Sequence, residues 1–410
     1  MACLGSNLTD MLRLAEFRSE RLLSFFWRGV EALSLLAIAC LPFFPQVARK
    51  LSVAAVLIWL ALKAAEKGPF FAVPRVVWVN YAAFLFLIGL SIAARPPDAG
   101  GTQGLWWYLK WGNYFGIFFM AADMFREPAR RSRFLFVFQI TMIAVCLNGV
   151  YRMAYATPQT EGHSAEVLGR SFRMRGPFSW PNSLSVFLLF AVPVAFSEWF
   201  GEKRWSLKAA LKVGVLILFS TCLILTFSRS AFLALFAATA VMLASKKAWR
   251  FLSLAGLSAG LFYLSSPVMR RNFFDSLSWK NVSVGERLSF WKGAWGMITA
   301  HPFRGSGIGM SPHLQGLYAT VPRSDLTHNA YLQIAAEVGV PALILFLIPV
   351  FFLTIRGARR AGSVRDWAVW TGCLAFLFQA VVESSFYYVQ PAILFWMFWG
   401  LSTASQTHEA

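Results

Sequence analysis

Acidic residues are scarce in this chain. It carries 19 Asp and Glu against 38 Lys and Arg in 410 residues, for a formal net charge of +19. Charge of either sign is thin, at 14% of residues, where soluble domains run near a quarter. No Asp-x-Asp pair occurs, so nothing in the sequence resembles the carboxylate cluster that a divalent cation needs. Only five histidines are present, and His301, His313 and His328 lie too far apart for paired metal ligands. The five cysteines (Cys3, Cys40, Cys146, Cys222 and Cys373) are scattered and fit neither a metal site nor a disulfide framework. A Gly-x-Ser-x-Gly nucleophile elbow is missing, which argues against a serine hydrolase. No cleavable signal peptide is visible, because residues 1–28 are interrupted by Arg13, Arg18, Arg21 and Arg28. Such a basic amphipathic segment suits a membrane surface. No cofactor is expected, and no metal.

What is abundant is apolar sequence, at 57% of residues. A helix needs about 20 apolar residues to cross a bilayer. Blocks near 29–46, 51–66, 75–94, 106–125, 133–155, 180–199, 209–227, 230–246, 249–266, 338–356, 366–382 and 389–405 meet or approach that length. The expected fold is therefore all-α, one polytopic membrane domain over residues 1–410 with about twelve spans. The excess of Lys and Arg calls for no nucleic acid. With the N-terminus inside, most of these residues fall in short cytoplasmic segments, as the positive-inside bias requires. Both termini are then expected on the cytoplasmic side.

Two longer loops are expected outside, at 156–179 and 267–337. The first holds Arg170, Arg173 and Arg175; the second holds Arg287 among seven cations; Arg229 sits at a short outer turn. Long loops can ignore the charge bias, or these cations hold an anionic ligand on the outer face. Both readings stand at this level.

The stretch from Arg287 to Glu337 is the longest that does not fit lipid. Ser283-Val284-Gly285-Glu286 reads as a capping box opening a helix. That helix places Leu288, Trp291, Trp295 and Ile298 near one face, as in an interfacial helix. His301-Pro302 ends it. The Gly305-x-Gly307-x-Gly309 run gives a tight turn against a ligand or another helix. Asp325 or Thr327 is expected to cap a helix from Thr327 to Glu337, with His328 in its first turn. A helix start attracts anions and favours a neutral imidazole, suited to general-base work. Asn329 and Gln333 can add hydrogen bonds.

Five pieces in this order carry a resemblance: Arg-Gly-Pro-Phe-Ser-Trp-Pro-Asn at 175–182, Thr-Phe-Ser-Arg-Ser at 226–230, Glu286-Arg287 before Trp291, His-Pro-Phe-Arg-Gly-Ser-Gly-Ile-Gly at 301–309, and His-Asn-Ala-Tyr-Leu-Gln-Ile-Ala-Ala-Glu-Val-Gly at 328–339. The sequence resembles the O-antigen ligase and O-antigen polymerase superfamily of the bacterial inner membrane, and the ligases more closely. The resemblance implies a multi-span glycosyltransferase of the GT-C type. Such an enzyme moves a glycan from undecaprenyl pyrophosphate to a sugar hydroxyl of the lipid A core, on the periplasmic side, without metal and with inversion. It implies Arg229 and Arg287 as pyrophosphate ligands with Arg175 in support, and His328 as the catalytic residue. Polymerisation of lipid-linked repeat units, or transport of a lipid-linked glycan without chemistry, are the alternatives.

Overall fold

The computed structural model describes residues 22–66, 69–95, 101–155, 173–202, 204, 206–245, 282–321 and 324–404. Among these residues every regular element is helical. The long helices are α1 (Leu22–Cys40), α2 (Pro45–Ala65), α3 (Arg75–Ile92), α4 (Gly101–Met124) and α5 (Pro128–Ala154). They are followed by α6 (Pro181–Phe200), α7 (Leu207–Leu225), α8 (Arg229–Ser245) and α9 (Val282–Ala300). Then come the short α10 (Ser311–Leu314), α11 (Ala330–Val338), α12 (Val340–Arg360), α13 (Val364–Gln379) and α14 (Val389–Ala404).

A helix stands within a few residues of every expected span except 249–266, which lies outside the described residues. Six are long and apolar enough to cross a membrane: α1, α3, α5, α6, α7 and α12. The described residues are thus all-helical, with six span-length apolar helices, as suits a polytopic membrane protein. Helix starts follow local chemistry. Proline occupies the first turn of α2, α5, α6 and α12, where its missing N–H costs nothing. Ser363 and Asp366 form a reciprocal capping box on α13.

Helix α14 is apolar all round and buried along most of its length, which makes it the central helix of the bundle. It packs along α4, while α13 packs between α6 and α8. Small residues set the α14–α4 contact: a Cβ at Gly400 would stand 2.5 Å from Ala121 Cβ and 2.6 Å from the Phe118 carbonyl. Close backbone approach of this kind replaces the hydrophobic drive that lipid removes.

The two ends of the bundle treat charge differently. At one end carboxylates and cations are matched: Glu31 with Arg130 and Arg133, Asp366 with Arg131, Glu198 with Arg365 and Lys212, and Asp123 with Lys63. All of these cations belong to segments expected in the cytoplasm. The start of α4, about 35 Å from its Asp123 end at 1.5 Å per residue, belongs to the other end. There Arg95, just before α4, donates to the Ile308 carbonyl, and Lys110 Nζ donates to the Tyr387 carbonyl at 2.6 Å.

Candidate active site

The site is assembled near the ends of α6, α7, α8, α9, α11 and α13. Pro181 opens α6 and sets Asn182 in its first turn. Ahead of it, residues 173–174 run beside the end of α7: Met174 N–H donates to the Leu225 carbonyl, and Arg173 Nε to the Thr226 carbonyl at 2.8 Å. That strap brings Arg173 next to Arg229, the first residue of α8. Helix α9 contributes Arg287, and the turn after α13 contributes Glu383.

Glu383 is the hub. Its Oε1 accepts from Arg287 Nη2 at 2.7 Å and from Asn182 Nδ2 at 2.7 Å. Its Oε2 lies 3.7 Å from His328 Nδ1. Asn182 also accepts, through Oδ1, from Arg173 Nη2 at 3.0 Å. Burial, followed by the charges of Arg229 and Arg287, lowers the Arg173 pKa to about 10, with Glu383 opposing. Arg287 thus bonds this carboxylate directly and Arg173 reaches it through Asn182, while Arg229 lies close enough to Arg173 to repel it. The Glu383 side chain is 9% exposed and that of Arg287 26%.

His328 is held against this cluster by local backbone strain. Its φ is +53°, and Phe227, two residues before Arg229, has φ +48°. These are the non-glycine residues with positive φ among those described. Such conformations cost about 1–3 kcal/mol and collect at functional sites. Asn329 caps α11, accepting from the Tyr331 and Leu332 N–H groups at 3.0 Å each. The α11 helix thus begins at Ala330, and His328 stands before the cap rather than in the first turn. Asp325 and Thr327 are not the cap: an Asx side chain one residue ahead of the helix outcompetes them by reaching both orphan N–H groups. Thr327 is buried and accepts from Gln315 Nε2.

The expected neutral imidazole is also corrected. Burial works against charge on His328, but the carboxylates of Asp325 and Glu383 close to the ring outweigh it and raise the pKa to about 9. His328 Nε2 lies 3.6 Å from Asp325 Oδ2. The ring faces a carboxylate on each side, and these full charges override the partial charge of a helix start.

The docking of α11 on α13 explains why His328 and Glu383 meet. Ala330 N–H donates to the Ala380 carbonyl, and Tyr331 Oη to the Leu377 carbonyl. Gln333 accepts from Ser384 Oγ at 2.8 Å and donates to Glu337. Asn329 and Gln333 therefore hold the elements that carry His328 and Glu383. Arg175 donates to the Ser179 carbonyl at 3.4 Å within its own loop. The arginine bonded into the hub through Asn182 is Arg173.

Two readings of α9 change. Its range includes Ser283, so that residue lies inside the helix and not at a cap. Its buried apolar side chains are Phe290, Ala294, Met297 and Ile298, so Ile298 of the expected face packs inward while Trp295 is 61% exposed.

The glycine-rich turn is a structural staple. Gly305, Gly307 and Gly309 all have positive φ. Ser306 and Gly307 N–H groups donate to the Ala336 and Glu337 carbonyls, and the Glu337 carboxylate accepts from Gly309 and Ser311 N–H. Burial pushes the Glu337 carboxyl up, against the pull of those two N–H groups. A Cβ at Gly305 would stand 2.4 Å from the Glu337 carbonyl. Gly305→Ala is expected to lower the thermal unfolding temperature in detergent by several degrees, the strain alone costing about 1–3 kcal/mol. An unchanged melting curve would contradict the staple.

Among the described residues no group of three or more His, Cys, Asp or Glu is placed to hold a metal ion. Residues 214–347 match the family model described as O-Antigen ligase. No curated protein matches the chain. The matched region runs from α7 to α12 and includes Arg229, Arg287 and His328; Arg173, Asn182 and Glu383 lie outside it. Residues 214–347 of this membrane protein thus carry an O-antigen ligase family domain, of a kind found in glycosyl-transferring enzymes.

Proposed function

We propose that the protein is an O-antigen ligase. It transfers a glycan from undecaprenyl pyrophosphate to a sugar hydroxyl of the lipid A core, on the periplasmic side of the bacterial inner membrane. The supporting observation is the arginine cluster gathered on Glu383. Arg173, Arg229 and Arg287 carry two charges more than the Glu383 around which they gather. A pyrophosphate diester carries a matching pair of negative charges. The fold belonging to this reading has about twelve spans, a GT-C-like arrangement and both termini in the cytoplasm.

In the reaction the anomeric carbon loses the lipid pyrophosphate while the acceptor oxygen attacks from the opposite face. Negative charge grows on the bridging oxygen of the leaving group. Arginine forks aimed at that oxygen stabilise it without reorganisation. Arg287 is bound to Glu383 before the donor arrives, so donor binding exchanges one carboxylate for a phosphate. The acceptor hydroxyl gives its proton to His328, whose neutral form at a pKa near 9 is a stronger base than an ordinary imidazole.

Purified protein in vesicles, given donor and acceptor, should join glycan to the lipid A core and should keep doing so in chelator. Loss of activity in chelator, restored by magnesium or manganese, would contradict the arginine-only site. A deletion strain provides the second test. A lipopolysaccharide ladder reduced to bare core supports the ligase. Core capped with single repeat units selects the polymerase.

A further inference from the structure

A second group of cations lies on the same end of the bundle. The segment that begins at Glu383 ends at Tyr387, whose carbonyl accepts from Lys110 Nζ. Lys110 is 8% exposed, and its ammonium stands 4.0 Å from the Trp107 ring centroid and 4.7 Å from that of Trp106. Arg49, from the first turns of α2, holds its guanidinium 6.0 Å from the same Trp106 ring. Two cations thus flank one indole.

Like charges repel, and here the Arg49 charge acts directly on Lys110. Among the described residues neither pairs with a carboxylate; Glu337 attracts Lys110 only from beyond ion-pair distance. Lys110 is spent on Tyr387 and the two indoles. Arg49 is half-buried, and its guanidinium fork is directed over the indole face, which takes up one side of it only. The surroundings are open toward lipid. Trp106 is 41% exposed, and Leu105 and Leu109 beside it are 52% and 60% exposed. Tryptophan near the end of a span-length helix is characteristic of the headgroup level of a bilayer. A cation on an indole at a lipid-facing surface is matched to an anionic headgroup held next to a sugar or acyl chain.

We infer that Arg49 and Trp106 form a subsite for a phosphate on the headgroup of the glycolipid acceptor, with Lys110 adding positive charge from behind. The inference rests on the glycan-transfer reading, because the Glu383–Tyr387 segment joins this group to the arginine cluster. The donor's pyrophosphate then lies at one end of that segment and the acceptor's phosphate at the other. The acceptor hydroxyl is presented between them.

The test uses the full-length protein in phosphatidylcholine vesicles. The acceptor is a lipid A-core molecule, either carrying its disaccharide phosphates or enzymatically stripped of them. Losing one charge-assisted contact of this kind raises the half-saturating acceptor concentration by about tenfold. Arg49→Gln is expected to do this for the phosphorylated acceptor, to leave the stripped acceptor unaffected and to leave donor half-saturation unchanged. Arg49→Lys should recover most of the loss. Equal saturation by wild type and Arg49→Gln, with wild type active, overturns the subsite and leaves glycan transfer standing. An effect that follows added phosphatidylglycerol rather than the acceptor's own phosphates also overturns it, in favour of bulk anionic lipid. Where wild type shows no transfer, acceptor binding without donor gives the same comparison, and the transfer reading fails separately.

Discussion

Arg287→Ala is expected to lower glycan transfer by about a hundredfold to a thousandfold, the usual effect of removing one preorganised donor to a developing oxyanion. The protein should still insert and fold. Arg287 sits on α9, and its guanidinium bonds Glu383 alone among the hydrogen bonds that hold the hub. Removing one partner of a buried ion pair costs about 3–5 kcal/mol where the other is left bare. Here Glu383 keeps its bond from Asn182 and the nearby charges of Arg173 and His328, so the stability loss is smaller. Activity and stability are separable by a second variant. Arg287→Ala with Glu383→Gln removes the excess negative charge while keeping an acceptor for Asn182, and should regain thermal stability but not transfer. Arg287→Lys keeps the charge but not the planar fork, and should recover only a small part of the rate. Transfer restored in the double variant would mean that Arg287 serves only to neutralise Glu383, and the pyrophosphate role would fall.

The helices and the family domain were readable in the sequence because both are written locally. Apolar blocks of near-membrane length need no tertiary knowledge, and helices stand where the blocks were expected wherever the chain is described. The glycine run was readable for the same reason. Three glycines in alternation announce a backbone that must pass close to something, and that partner proves to be Glu337, Arg95 and Trp107. The hub was not readable. Glu383 is a single acid after an apolar helix, and nothing adjacent marks it. It becomes central only when the α11 start docks on the α13 end. Arg173 and Arg175 are indistinguishable by composition. Their difference comes from one strap of hydrogen bonds to Leu225 and Thr226 that turns residue 173 toward Arg229. The protonation of His328 failed as an expectation for a related reason. A helix start was visible in the sequence, but the carboxylate opposite, Glu383, was not.

His328 makes the pH dependence a sharp test. At pH 7 a group with a pKa of about 9 is neutral in only about 1% of molecules. If His328 takes the acceptor proton, transfer by the wild type rises about tenfold per pH unit and levels off near pH 9. If its positive charge instead serves the leaving pyrophosphate, the rate is flat at neutrality and falls above about 9. His328→Ala should cost about a hundredfold to ten-thousandfold in the first case, with the slope gone. A rate that is flat or falling between about pH 6 and 9 sinks the base assignment. Stability has the opposite slope. The folded pKa is raised above its unfolded value of about 6.5, so the contribution is full below about 6.5 and disappears as pH rises through about 9. His328→Gln removes that slope from the melting temperature. The wild type should therefore become faster and less stable over the same pH window, because the proton that ties His328 to Asp325 and Glu383 is the one it must lose to act as a base.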